Sequence, residues 1–325
     1  MSIGLDLGTT EFRSIRDSGG DLIARRCRAS YLVVKDSPGH RKLLENTRAI
    51  FGTCGDDLVI LGDDAIECGA MLGLPAIPLL RDGRLPNSDP VARQILALMA
   101  EAILPPATQE REVCCLTVPG GYGLDGDTQS VDVRFLKQLA SLRGYAPQLI
   151  SSGLAVVLAE LAESSFSGLG ISLGAVNCEV GVIHCGRELA RSTVEGRLAD
   201  LEEPAPTRQQ DSSIDVDPNT DEQQRAARER NRLQVLTAIL TEAREALVSE
   251  GSIRLIHQPT VIACTGGITR SDGFANLFQQ AWNQSGWPVR ISRIQIASNP
   301  RFSVARGGLI KAILEGHTFP ERRVA

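Results

Sequence analysis

An aspartate inside an apolar run, followed at once by a glycine and two hydroxyls, marks Ile3-Gly4-Leu5-Asp6-Leu7-Gly8-Thr9-Thr10 as the stretch of this chain with most chemistry in it. A strand ending in a tight turn would let backbone N–H groups at Gly8 approach a phosphate, with Thr9 and Thr10 adding donors and Asp6 holding hydrated Mg²⁺. An ordinary first hairpin, whose aspartate accepts turn hydrogen bonds, explains the same residues equally well. A second copy of the pattern stands far downstream, where Leu169-Gly170-Ile171-Ser172-Leu173-Gly174 aligns position for position with Ile3 to Gly8. The repeat points to two related halves facing each other across a cleft, with a hairpin turn at each.

The elements that must position these turns follow from apolar spacing. Residues 1 to about 60 read as a β-meander: strands at Ile3–Leu7, Phe12–Arg16 and Leu22–Arg26, then Tyr31–Val34 and Leu58–Leu61 around a polar loop at Asp36 to Arg41. A short helix opens at Gly62 with Asp63 or Asp64 as its cap, and Leu79 to Leu85 reads as a strand end and turn. Helix 89–104, strand 112–119, helix 127–144 and strand 147–150 together predict a parallel crossover unit. Beyond it come an apolar helix at 153–163, the second hairpin at 168–184, and a Pro-, Gln- and Asp-rich break at about 200–232 that passes into a helix at 225–248. A buried strand at 259–267 delivers a Gly266-Gly267 turn, and helix 272–283, short strands 288–291 and 294–297 and a closing helix at 303–315 complete the chain. The expected class is α/β with two domains: 1–150, carrying a small subdomain at about 30–85, and 151–325, whose last helix has the option of packing back on the first domain.

Composition narrows the function classes. At 325 residues the chain exceeds the usual span of one core, and 42% hydrophobic with 4% aromatic residues implies cores of Leu, Ile, Val and Ala. A formal charge of -5 argues against a general nucleic-acid-binding surface. No apolar run reaches the ~20 residues of a membrane helix, so no direct membrane insertion is expected. The eight cysteines show no CxxC pair and follow no secretory leader, which predicts reduced, buried thiols and a cytoplasmic setting. His184 and His257 are expected to be structural, without a Cys or His neighbour at metal spacing, while Trp287 beside Pro288 is either surface packing or a partner contact.

Four segments in order, LDLGTT at 5–10, ISLGAVNCEVGVI at 171–183, CTGGITR at 264–270 and SVARGGLIKA at 303–312, resemble the actin, sugar-kinase and heat-shock-chaperone ATPase superfamily. Within it, GDDAIECGAMLG at 62–73 and RDGRL at 81–85 are similar to the MreB rod-shape family. The resemblance implies two ribonuclease-H-like α/β halves facing a nucleotide cleft, with one small subdomain reduced or absent. It further implies an ATP site in which Asp6 holds Mg²⁺ through water and Gly8, Thr9, Thr10, Gly174, Ala175, Asn177, Gly266, Gly267 and Ile268 contact the nucleotide. For Gly266-Gly267 the alternative is a turn that merely closes a buried strand.

Departures from that pattern bear on activity. Ser172 stands where the second loop of the superfamily begins with an aspartate, and Ala175-Val176-Asn177-Cys178 replaces its glycines and threonine. Side chains there oppose close approach of a phosphate, although Asn177 tolerates a left-handed backbone and can donate. The catalytic acid that orients water is replaced by Ser151 or Ser152, a loss expected to slow hydrolysis on the order of 10²- to 10⁴-fold. The leading expectation is an MreB- or actin-like nucleotide-binding protein with a cytoskeletal or scaffold role, weak or absent hydrolysis, self-association into filaments, and other cell-shape or division proteins as partners. A degenerate interaction platform without nucleotide is the alternative; a small-molecule kinase ranks third, because no acid in the apolar turns stands out as its base.

Overall fold

In the computed structural model, residues 2–80, 83–84, 90–110, 112–120, 131–196, 198 and 218–318 are described. The first part of the chain comprises β1 (Ile3–Leu7), β2 (Glu11–Ser18), β3 (Asp21–Arg28), β4 (Ser30–Lys35), α1 (Pro38–Thr47), β5 (Phe51–Cys54), β6 (Asp57–Leu61), α2 (Asp63–Leu72), β7 (Ile77–Pro78), α3 (Pro90–Ile103), β8 (Val113–Leu116), α4 (Val131–Leu142) and β9 (Ala146–Leu149). The remainder comprises α5 (Ser152–Glu160), β10 (Gly168–Leu173), β11 (Asn177–His184), β12 (Arg187–Glu195), α6 (Pro218–Ser249), β13 (Thr260–Gly266), α7 (Phe274–Ser285), β14 (Ile291–Ile296) and α8 (Ser303–Thr318).

Two five-stranded sheets share one plan, with orders β3-β2-β1-β8-β9 and β12-β11-β10-β13-β14. In each, an antiparallel hairpin leads into two parallel pairings. The central strands β1 and β8 are buried along their whole length, as strands covered on both faces must be, and their Ile, Leu, Val and Cys residues provide the apolar surface. A four-stranded sheet, β5-β6-β4-β7, carries α1 and α2 on a small core of its own that includes Leu32, Leu44, Leu58 and Ile60.

Several local expectations change. The polar loop at Asp36 to Arg41 is the start of a helix, because Ser37 accepts from His40 N at 3.2 Å as N-cap and Pro38 begins the first turn. Neither Asp63 nor Asp64 caps α2: Asp63 pairs with Arg28 at 2.8 Å, and Asp64 accepts from Ile50 N at 2.7 Å. The two short strands expected near the C-terminus are one, β14, and the helix expected from Arg225 starts earlier, at Pro218. Most of RDGRL, and the part of the 200–232 stretch before Pro218, lie outside the described residues.

Two helices join the sheets. Helix α5 rests on the second sheet through Gly153, where an added Cβ would come within 2.9 Å of Gly181 N, and α8 rests on the first sheet, where a Cβ on Gly4 would lie 1.9 Å from Ala305 O. The helices meet at Gly307, whose Cβ would fall 1.8 Å from Ala155 O. The small residues of SVARGGLIKA therefore allow close crossing rather than phosphate approach.

Trp287 belongs to the core. It is 7% exposed, stacks on Trp282 with ring centroids 4.5 Å apart, and donates its indole N–H to Leu240 O at 2.9 Å. Trp287→Phe keeps most of the stacking and loses the hydrogen bond, so thermal denaturation is expected to show a loss of about 1 kcal/mol. An unchanged melting temperature would mean that the indole N–H contributes nothing.

Candidate functional site

Both hairpin turns open onto one crevice of about 260 Å³. The β1/β2 turn brings Asp6, Gly8, Thr9 and Thr10 to it, the β10/β11 turn brings Gly174, Ala175 and Asn177, and the end of β13 brings Gly266 and Gly267. The turns are built alike: a Cβ on Gly8 would meet Glu11 O at 2.8 Å, and one on Gly174 would meet Asn177 O at 2.5 Å. Gly266 has φ 130° and its Cβ position lies 2.0 Å from Leu173 O, so packing against β10 requires glycine there whatever the cleft holds.

Three of the sequence-derived positions sit otherwise. Ile268 packs into the core of the second sheet and is absent from the cleft lining. Ser151 is buried as the N-cap of α5, accepting from Leu154 N at 3.2 Å and donating to Glu188, and only Ser152 reaches the cleft. Asn177 starts β11 without a left-handed backbone and donates to Gly83 O at 3.4 Å, across the cleft mouth.

Charge in the crevice follows from the strand register. Arg13 is the cross-strand partner of Asp6, and its Nη1 lies 3.0 Å from Asp6 Oδ2, while Thr117 Oγ1 donates to Asp6 Oδ1 at 3.2 Å. Burial pushes the Asp6 carboxyl up, against the pull of Arg13 and Thr117. Glu11 receives Arg13 at 3.0 Å, Arg26 at 3.4 Å and Arg301 at 3.5 Å. Burial alone would raise the Glu11 carboxyl, yet these arginines together hold it below the ordinary range. Arg28, Arg270 and Arg301 also line the cleft, so four arginines face the three carboxylates Asp6, Glu11 and Glu179.

Asp6 is thus committed to an arginine and a threonine, and Ser152 and Ser172 contribute no carboxylate beside it. Among the described residues no group of three or more His, Cys, Asp or Glu side chains is arranged to hold a metal ion. With Asp6, the carboxylate expected to hold Mg²⁺ through water, already paired to Arg13 and Thr117, the site does not suit a resident Mg²⁺.

Glu179 is the group that sequence reasoning missed. It sits on β11 opposite Ser172, its Oε1 accepts from Gly153 N at the start of α5 at 2.6 Å, and burial pushes its carboxyl up to about 7 despite Arg191. A carboxyl in that range can exchange a proton with bound water at neutral pH. Its signal was an acid within the apolar run NCEVGVI.

The two histidines, expected to be structural, pack against each other. His184 and His257 stack with centroids 4.3 Å apart, and Cys185 Sγ lies 3.6 Å from His184 Nε2.

The crevice, the paired hairpins and the duplicated sheet plan can now be set beside known proteins. A family model described as Volactin matches residues 1–312. The chain belongs to the Volactin family. No curated protein matches it. Among solved structures, this Volactin chain is similar to MreB 5 of Spiroplasma citri bound to AMPPNP, with TM-score 0.57 and 14% identity over 97% of each chain. The ethanolamine utilization protein EutJ from Carboxydothermus hydrogenoformans aligns with TM-score 0.47 and 14% identity, over 95% of this chain and 88% of that one. The Volactin chain is an α/β protein whose fold is similar to that of MreB 5. Among its described residues no helix is long and apolar enough to cross a membrane.

Proposed function

We propose that this Volactin is an actin-like nucleotide-binding protein with a cytoskeletal or scaffold role, taking ATP between its two hairpin turns and hydrolysing it slowly or not at all. The observation that carries the reading is the convergence of the Gly8, Gly174 and Gly266 turns on one crevice. The AMPPNP bound by the similar MreB 5 supports it. In this reading the turns at Gly8 to Thr10 and Gly174 to Asn177 face the phosphates, Gly267 faces the nucleoside, and the two domains divide near residue 150. Slow turnover follows from Ser152 at the position of the water-orienting acid. Filaments of this chain, with cell-shape or division proteins as partners in the cytoplasm, complete the proposal.

Binding is tested by following the melting temperature during an ATP titration with Mg²⁺ present. Ligand at about 100 times its Kd stabilises by about 2.7 kcal/mol, which raises Tm by several degrees. A flat response at millimolar ATP would sink the proposal. The second reading, an interaction platform without nucleotide, is favoured by Asn177, whose side chain is spent on Gly83 O. Sedimentation separates the two, because only the first expects assembly to depend on ATP.

A further inference from the structure

The cleft carries its own cation beside the carboxylate that the superfamily resemblance gives to magnesium. Arg13 is held opposite Asp6 by the β1/β2 pairing itself, so the contact is fixed by the register of the hairpin. Its guanidinium uses three of five N–H donors, on Asp6 Oδ2 at 3.0 Å and on Glu11 Oε2 at 3.2 and 3.0 Å. Two donors remain for a ligand. Glu11 is held in turn by Arg26 and Arg301, so Arg13 cannot leave Asp6 without disturbing a shared network. Asp6 is only 6% exposed, and stripping its partner would leave a buried carboxylate uncompensated.

Within a chain of formal charge -5, the local excess of arginine over carboxylate in this crevice favours an anion. A guanidinium fork also matches phosphate oxygens without a bridging metal. Arg270 ends the short 3-10 helix Gly267–Arg270 after β13 and Arg301 precedes α8, so both stand outside the β1/β2 hairpin and add positive charge from a different wall.

We infer that the cleft takes the polyphosphate of its nucleotide without a resident divalent cation, Arg13 supplying the fixed positive charge. The inference rests on the nucleotide reading above and changes its cofactor: the ligand is the metal-free nucleoside polyphosphate.

Calorimetric titration of the full chain with ATP, once in excess EDTA and once in excess MgCl₂, tests it. The expected dissociation constants agree within about threefold. Binding that falls by about tenfold or more in EDTA overturns the inference and leaves the nucleotide site standing. Binding in neither condition overturns the nucleotide reading and the inference with it.

Arg13→Gln is expected to weaken binding in EDTA by roughly 10- to 100-fold, the usual range for losing a charge-assisted hydrogen bond, and Mg²⁺ should restore much of the loss through the released Asp6. Unchanged affinity of this variant in EDTA overturns the assignment of Arg13. If Arg13→Gln does not fold by circular dichroism, Asp6→Asn decides. It frees Arg13 without removing its charge, so it should bind ATP in EDTA at least as tightly as the wild type, and a fall of about tenfold overturns the inference.

Discussion

Gly307→Ala is expected to destabilise the protein by about 3 kcal/mol or more, because the added methyl would sit 1.8 Å from Ala155 O, a backbone atom that cannot rotate away. Alanine is intrinsically the better helix former by about 1 kcal/mol, so two effects oppose each other. The clash wins: relieving it means separating α5 from α8, which also carry Gly153 and Ala305 against the two sheets. Gly316→Ala in the same helix is the control, since its Cβ would find nothing nearer than Ser2 Oγ at 3.8 Å. Thermal denaturation should show a drop of roughly 6–12 °C for the first variant and no loss for the second. Equal melting temperatures for the two would refute the close crossing of the helices.

Glu179→Gln is the second large effect, and its signature is pH dependence. Burial raises the Glu179 carboxyl from its ordinary 4.5 to about 7 in the folded chain. A raised carboxyl contributes stability that is fully present below the unfolded value and is lost as pH climbs through the folded one. Between pH 4.5 and 7 the folded state keeps a proton that the unfolded chain has released, and the total loss is about 3 kcal/mol. Glutamine retains an acceptor for Gly153 N and cannot ionise. Arg191 and Glu188 face the same carboxyl, Arg191 favouring its charged form and Glu188 opposing it. The variant should therefore match the wild type near pH 4.5 and exceed it by up to about 3 kcal/mol at pH 8. A stability difference that does not change with pH would show that Glu179 is already ionised throughout.

Both variants touch features that differ in how plainly the residues announce them. The two hairpins, the parallel crossover and the buried strand before Gly266 were legible because glycine spacing and apolar runs are local signals. Arg13 was not, because its contact with Asp6 depends on which residues a turn places opposite each other across a hairpin. Glu179 was hidden for a related reason: β11 is buried on both faces, and the meeting of its carboxylate with Gly153 N at the start of α5 depends on packing between distant elements. Helix α1 was read as a loop because Pro38 and Gly39 suggest a turn, whereas Pro at the first helical position after a Ser cap starts a helix. The placements of Ser151 as the cap of α5 and of Ile268 in the core of the second sheet likewise depend on packing that local spacing does not record.

The exchange of helices, with α5 on the second sheet and α8 on the first, imposes an order of events during synthesis. Strands β1 and β8 leave the ribosome long before residue 303, where α8 begins. At ~5–20 residues per second, roughly 10–40 s pass before the helix that covers them exists. For that interval the nascent chain displays an uncovered apolar sheet, and chaperone capture should be densest on nascent chains between β8 and α8.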